Sequence, residues 1–237
     1  MSSLLLIRHG QASLGAADYD VLSPLGVIQA RRLGDHLAGM VRPDLIVTGP
    51  RVRQRDTATH MIAAARARGA HFPDPVLRPE FDEYPALEIM QRHLQRLAAA
   101  DAELAGHVAD LARHPAGSRD QRRAFEAAFQ RMMRSWHDGH LGDPGIEAAT
   151  AFAERVESGL RELLAPRGRT VLVVSSAGPV GIGLRLGLGI DLWSGLKASF
   201  VVHNSSLSEL RTRGDEPMLT MFNALPHLRD PAEITLR

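Results

Sequence analysis

Apolar positions along the chain fall into runs of two kinds. Leu4-Leu5-Leu6-Ile7, Asp44-Leu45-Ile46-Val47-Thr48 and Thr170-Val171-Leu172-Val173-Val174 are short and nearly continuous, the pattern of strands buried on both faces of a parallel sheet. Between the first two, Ser23-Pro24 signals a helix start, and Ala30, Leu33 and Leu37 carry a stripe that predicts a helix to about Leu37. A further helix is expected to start within Thr48 to Ala58 and to run through Met61 and Ile62 to about Ala65. Strand, helix, strand opens a parallel sheet with a right-handed crossover.

From Ala86 to about Arg167 the spacing turns helical. Leu94, Leu97, Leu104, Val108 and Leu111 mark one stripe, Phe125, Phe129, Met132, Met133 and Trp136 a second, and Phe152, Val156, Leu160 and Leu163 a third. Ser118 with Gln121 reads as a capping box opening the second helix, and Asp143-Pro144 as the start of the third. After the Thr170 strand a small-residue turn leads into a segment from Val180 to Leu188. Leu207-Ser208-Glu209-Leu210 and Leu219-Thr220-Met221-Phe222 pair as a hairpin around Arg213-Gly214-Asp215, which is turn chemistry. These elements predict an α/β fold: three layers, a central mostly parallel sheet flanked by helices, one domain over residues 1–237. A helical insert at about 88–142 is expected over the C-terminal ends of the strands.

Composition narrows the partners. The 237 residues are 44% hydrophobic and 23% charged with a formal net charge of +1, an ordinary globular balance. It gives no electrostatic case for nucleic acid or an acidic membrane, so anion binding must be local. The absence of Cys excludes disulfides, thiolate metal sites and a Cys nucleophile, and fits a reducing compartment. Arg8 and His9 interrupt the first apolar run too early for a secretory leader, and the longest uncharged stretch, Thr170 to Leu184, is too short to span a bilayer. A cytoplasmic protein is expected, with neither nucleic acid nor a membrane as its partner.

The strand ends offer such a local anion site. The first strand stops at Arg8-His9-Gly10, and the second runs into Thr48-Gly49-Pro50-Arg51-Val52-Arg53-Gln54-Arg55. Parallel strands deliver their C-terminal ends to one sheet edge, where ligands of α/β folds bind, so two cationic strand ends make an oxyanion site. Helix N-terminal amides add to it, although Arg51, Arg53 and Arg55 cannot all face one ligand. Farther on, Glu80, Asp82 and Glu83 lie between Pro79 and Pro85, a constrained acidic loop able to supply a proton to a leaving alkoxide.

Leu6-Ile7-Arg8-His9-Gly10-Gln11, then Leu22-Ser23-Pro24-Leu25-Gly26 with Gln29-Ala30, then Arg53 with Thr57-Ala58, resembles the histidine phosphatase superfamily, the phosphoglycerate mutase-like group. The resemblance implies a metal-independent phosphomonoester hydrolase in which His9 accepts the phosphoryl group. Arg8, Arg53 and Gln11 would contact its oxygens, and Glu80 would be the acid, with Asp82 and Glu83 as rivals. It implies a small phosphorylated substrate, no cofactor and no metal, and leaves a homodimer open. The family's second histidine falls at Ser176, where Ser176 and the Ala177 amide would contact the substrate instead. That substitution keeps two alternatives open: a catalytically weak or inactive phosphate-ligand-binding pseudo-enzyme, or a phosphomutase. Arg92, Arg96, Arg119, Arg122 and Arg123 are candidates for the substrate's anionic tail, and His203 and His227 for the pocket edge.

Overall fold

The computed structural model describes residues 2–13, 20–214 and 216–236. The described residues build a six-stranded sheet in the order β3-β2-β4-β1-β5-β6 from β1 (Ser3–Arg8), β2 (Leu45–Thr48), β3 (Val76–Leu77), β4 (Thr170–Ser175), β5 (Leu207–Arg213) and β6 (Glu216–Ala224). The first four are mutually parallel, whereas β5 runs antiparallel to β1 and to β6. The sheet is therefore mixed and mostly parallel, and flanked by helices. β4 is inserted between β1 and β2, so the two cationic strand ends are next-but-one neighbours rather than adjacent. The two-residue β3 has too little apolar sequence to stand out, since Val76 and Leu77 are both exposed. The hairpin forms as the alternation suggests, and Asp215 of its turn lies outside the described residues.

The continuous apolar strands are explained by burial on both faces. On one, Leu5, Ile7, Ile46, Leu172 and Val174 pack with Leu33 and Leu37 of α1 (Pro24–Leu37) and Ala58, Met61, Ile62 and Ala65 of α2 (Val52–Ala67). On the other, Gly183 of α7 (Ala177–Leu188) lies so close to Leu6 that a Cβ there would sit 2.2 Å from its Cδ1. Leu160 of α6 (Ala149–Leu164) borders the same spot. Ser23 caps α1 by accepting the Gly26 N–H at 3.0 Å. A short α8 (Leu192–Ser199), capped by Asp191 on the Ser194 N–H, was not evident in the hydropathy pattern.

The chain divides into two compact units, residues 1–83 with 153–237, and Tyr84–Phe152. The second holds α3 (Ala86–Ala100), α4 (Ala102–Arg113) and α5 (Arg119–His137). Its first stripe is thus two helices, broken at Asp101, whose carboxylate accepts the Glu103 and Leu104 N–H groups and starts α4. Asp143-Pro144 does not open α6, which begins at Ala149. The Asp143 side chain instead closes its own turn on the Gly145 N–H and takes His93 and Arg92. Tyr84, Trp136 and Phe152 form an aromatic triangle with centroids 5.8–6.0 Å apart. Among the described residues no helix is long and apolar enough to cross a membrane.

Candidate active site

β1 carries Arg8 and His9 to the C-terminal edge of the sheet, and both are buried. The His9 backbone is held on two sides: its N–H donates to Ser175 O at 2.8 Å, and its carbonyl accepts from Ser205 N at 3.1 Å and Asn204 Nδ2 at 3.3 Å. Ser205 achieves this at φ +57°, a left-handed conformation uncommon for a residue with a side chain. Its hydroxyl is bonded to His227 Nε2 at 2.9 Å.

The ring is fixed as tightly as the backbone. His9 Nδ1 lies 2.7 Å from the Gly10 carbonyl, which can only accept, so Nδ1 carries the proton and Nε2 the lone pair. Arg53 Nε donates to that Nε2 at 3.0 Å. Burial, then the positive charges of Arg53 and Arg8, push the imidazole well below its ordinary pKa, against the smaller raising effect of the Gly10 carbonyl. The ring is neutral near pH 7, the form in which imidazole is nucleophilic.

Arg53 and Thr57 are one helical turn apart on α2, which explains their spacing. Arg53 reaches the ring, while Thr57 Oγ1 accepts the Gly10 N–H at 3.0 Å and donates to Arg53 O at 2.7 Å. Gly10 is required by close approach, since a Cβ there would lie 2.5 Å from Gly26 O. Asp20 was missed by the sequence reading. Its carboxylate binds Arg53 Nη1 at 2.7 Å and the Val52 N–H at 2.9 Å, capping α2 from a distant loop and holding the guanidinium in place. Arg8 donates through Nη1 to Val202 O. Arg51 pairs with Asp82 at 2.6 Å, and Arg55 is exposed.

The other anticipated site residues divide. Gln11 turns its side-chain oxygen to Ser23 Oγ at 2.8 Å and its N–H to Gln29, anchoring the loop to α1. Ser176 is fully buried at the N-terminus of α7, where its hydroxyl accepts from Gln54 Nε2 at 2.8 Å, and buried Ala177 begins the helix. In the acidic loop, Glu80 is paired with Arg78, which also grips Glu162 of α6, and its Cγ lies against Gly159 of the same helix. Glu83 instead accepts the Gly178 N–H at 2.9 Å in the first turn of α7. Asp82 accepts from Arg51 and from the Glu83 N–H. Proximity in the sequence could not separate three acids that the fold turns in three directions.

His203 is held by Asn223, and Arg92 and Arg96 are engaged within the Tyr84–Phe152 unit by Asp143 and by Leu141 O. Among the described residues no group of three or more His, Cys, Asp or Glu side chains is assembled that could hold a metal ion.

The model of the histidine phosphatase superfamily, branch 1, matches residues 4–134 and 116–225. The chain belongs to this superfamily. Its fold is shared with a phosphoserine phosphatase variant from Entamoeba histolytica solved with phosphoserine, at 18% identity over 97% of this chain and 100% of the other, TM-score 0.63. The same enzyme has been solved with 3-phosphoglyceric acid, at 18% identity over 97% and 100%, TM-score 0.61. A phosphoglycerate mutase from Bacillus anthracis is similar at 16% identity over 95% and 94% of the two chains, TM-score 0.65. A search among curated proteins finds no match. At such identities the likeness establishes the fold of this histidine phosphatase superfamily member, and activity must be argued from its own residues.

Proposed function

We propose that the chain is a metal-independent phosphomonoester hydrolase working through a phosphohistidine on His9. The observation that carries this reading is the state of the ring: buried, neutral, its Nδ1 tied to the Gly10 carbonyl and its Nε2 lone pair facing the Arg53 guanidinium. An anion-binding pocket alone has no need of an imidazole prepared in this way.

His9 Nε2 attacks phosphorus in line, the bond from phosphorus to the leaving oxygen breaks, and that oxygen takes a proton from a carboxylic acid. Water then attacks the phosphohistidine, giving a proton to the same carboxylate as the P–N bond breaks and phosphate departs. Arg8 and Arg53 meet the charge on the equatorial oxygens, the positioning and neutralisation that phosphoryl transfer chiefly needs. For the acid, the geometry supports Glu83 over Glu80, because Glu83 accepts the Gly178 N–H in the first turn of α7, just after the β4 end, whereas Glu80 is turned to Arg78 and α6. The substrate is a small phosphorylated molecule, a reading supported by the phosphoserine and 3-phosphoglyceric acid held by the Entamoeba relative.

Phosphate release from a panel of sugar phosphates, phosphoglycerates, phosphoserine and nucleotides, with and without a chelator, tests the proposal. Turnover of at least one compound, insensitive to chelation and absent in His9→Ala, is expected. Tight binding across the panel without phosphate release would replace it with the pseudo-enzyme, and loss of turnover on chelation would remove metal independence.

A further inference from the structure

The parallel register of β1 and β4 pairs Arg8 with Ser175, and the His9 N–H is bonded to Ser175 O. The next residue of each strand, His9 and Ser176, therefore leave the sheet side by side. Ser176 is the N-cap residue of α7, a position where a serine hydroxyl ordinarily accepts an N–H from the second or third helical residue. Here it does neither. The second residue, Gly178, gives its N–H to Glu83, and the third, Pro179, has none.

The hydroxyl is instead taken up by Gln54, the residue after Arg53. The orientation of this amide follows from its neighbours: Oε1 accepts the Arg51 N–H at 3.0 Å, which can only donate, so Nε2 is the end that meets Ser176 Oγ at 2.8 Å and Phe81 O at 3.3 Å. Ser176 Oγ is thereby an acceptor from Gln54, and its own hydrogen remains to be donated. Among the described residues it is given to no protein acceptor. Both side chains are fully buried, where an unused donor is costly.

We propose that Gln54 and Ser176 form a coupled second arm of the phosphoryl pocket. Gln54 is a positioning residue that fixes Ser176 Oγ as an acceptor and so aims the hydroxyl hydrogen at an oxygen of the phosphoryl group on His9. This rests on the reading of His9 as the site of phosphoryl transfer. It gives a specific role to a serine at the place where the family resemblance puts a second imidazole, with the neighbour of Arg53 supplying the orientation a histidine ring would hold by itself.

Ser176→Ala removes the donor, and Gln54→Met keeps the side-chain volume while removing the group that orients it. The two single variants and the double variant are compared with the wild type for kcat, KM and the affinity of orthovanadate, which mimics five-coordinate phosphorus. A hydrogen bond to a charged group contributes about 1.5–3 kcal/mol, so each single change is expected to lower kcat and vanadate affinity roughly ten- to hundredfold, with a smaller change in KM. Because Gln54 acts through Ser176, the double variant should be no worse than the weaker single one. Vanadate affinity and kcat unchanged in either single variant, or losses that multiply in the double, would overturn the proposal. Should one variant fail to fold, the other decides by the same readings. Failure of the phosphatase reading is separately visible as a wild type that never becomes phosphorylated, and vanadate affinity still tests the arm in that case.

Discussion

His9 is held neutral by surroundings that oppose its protonation, and this has a measurable consequence. Because burial and the Arg53 and Arg8 charges depress its pKa well below the ordinary 6.5, the acid limb of the pH–kcat/KM profile governed by His9 should lie below pH 6.5. An acid limb centred at or above 6.5 and assignable to His9 would contradict the geometry of the ring. The proton donor is testable at the same scale. Glu83→Gln should slow hydrolysis of alkyl phosphates at least a hundredfold while sparing p-nitrophenyl phosphate, whose leaving group needs little protonation, since acid catalysis contributes roughly 10²–10⁴-fold. Glu80→Gln should affect both substrates alike and weakly. The reverse pattern would return the acid to Glu80. Arg8 and His9 stand out at the end of an apolar strand, whereas Arg53 is separated from Arg51 and Arg55 only by the family resemblance. Asp20 and Gln54 were not legible, because their roles depend on which buried partner each meets, and no periodicity encodes that.

Helices and strands were legible where one pattern dominated and illegible where two competed. Thr170 to Val174 and Leu4 to Ile7 declared themselves by unbroken burial. The stripe from Leu94 to Leu111 kept its phase well enough to read as one helix, yet Asp101 breaks it with φ −133° and ψ 103°. A mid-stripe Asp is a poor helix-interior residue and a strong cap, and here the cap prevails. Asp101→Ala should therefore cost about 1 kcal/mol in urea denaturation, whereas Asp101→Asn, which can still accept the Glu103 and Leu104 N–H groups, should cost only a few tenths. Equal losses would mean that the Arg131 ion pair, not the cap, is what matters.

For the molecule as a whole, the order of the strands was the part least available from sequence. The β1 and β2 ends share one sheet edge as parallel strands do, but β4, more than 120 residues away from β2, lies between them and brings Ser175 to His9. Residues near the C-terminus close the site from the other side, with Ser205 bonded to both the His9 carbonyl and His227. His227 is lowered to about 4, first by burial and then by His36 and Arg32. The unfolded chain takes up that proton near 6.5 and the folded one does not, so this histidine leaves stability unchanged above pH 6.5 and erodes it as pH falls from 6.5 to about 4. His9 acts in the same direction. Thermal melts should show Tm declining through that window, and less steeply in His227→Gln. An unchanged slope in that variant would show that the buried ring is not the group responsible.

The central claim is that His9 carries the phosphoryl group, and acid-labile labelling tests it most directly. The wild type is mixed with a ³²P-labelled phosphomonoester that it turns over, quenched within milliseconds, and the protein-bound label is divided between alkali and acid treatments. The account predicts label that survives alkali, is lost in acid and maps to the peptide containing Arg8-His9-Gly10, and no label in His9→Ala. Label that survives acid, or persists in His9→Ala, would contradict it.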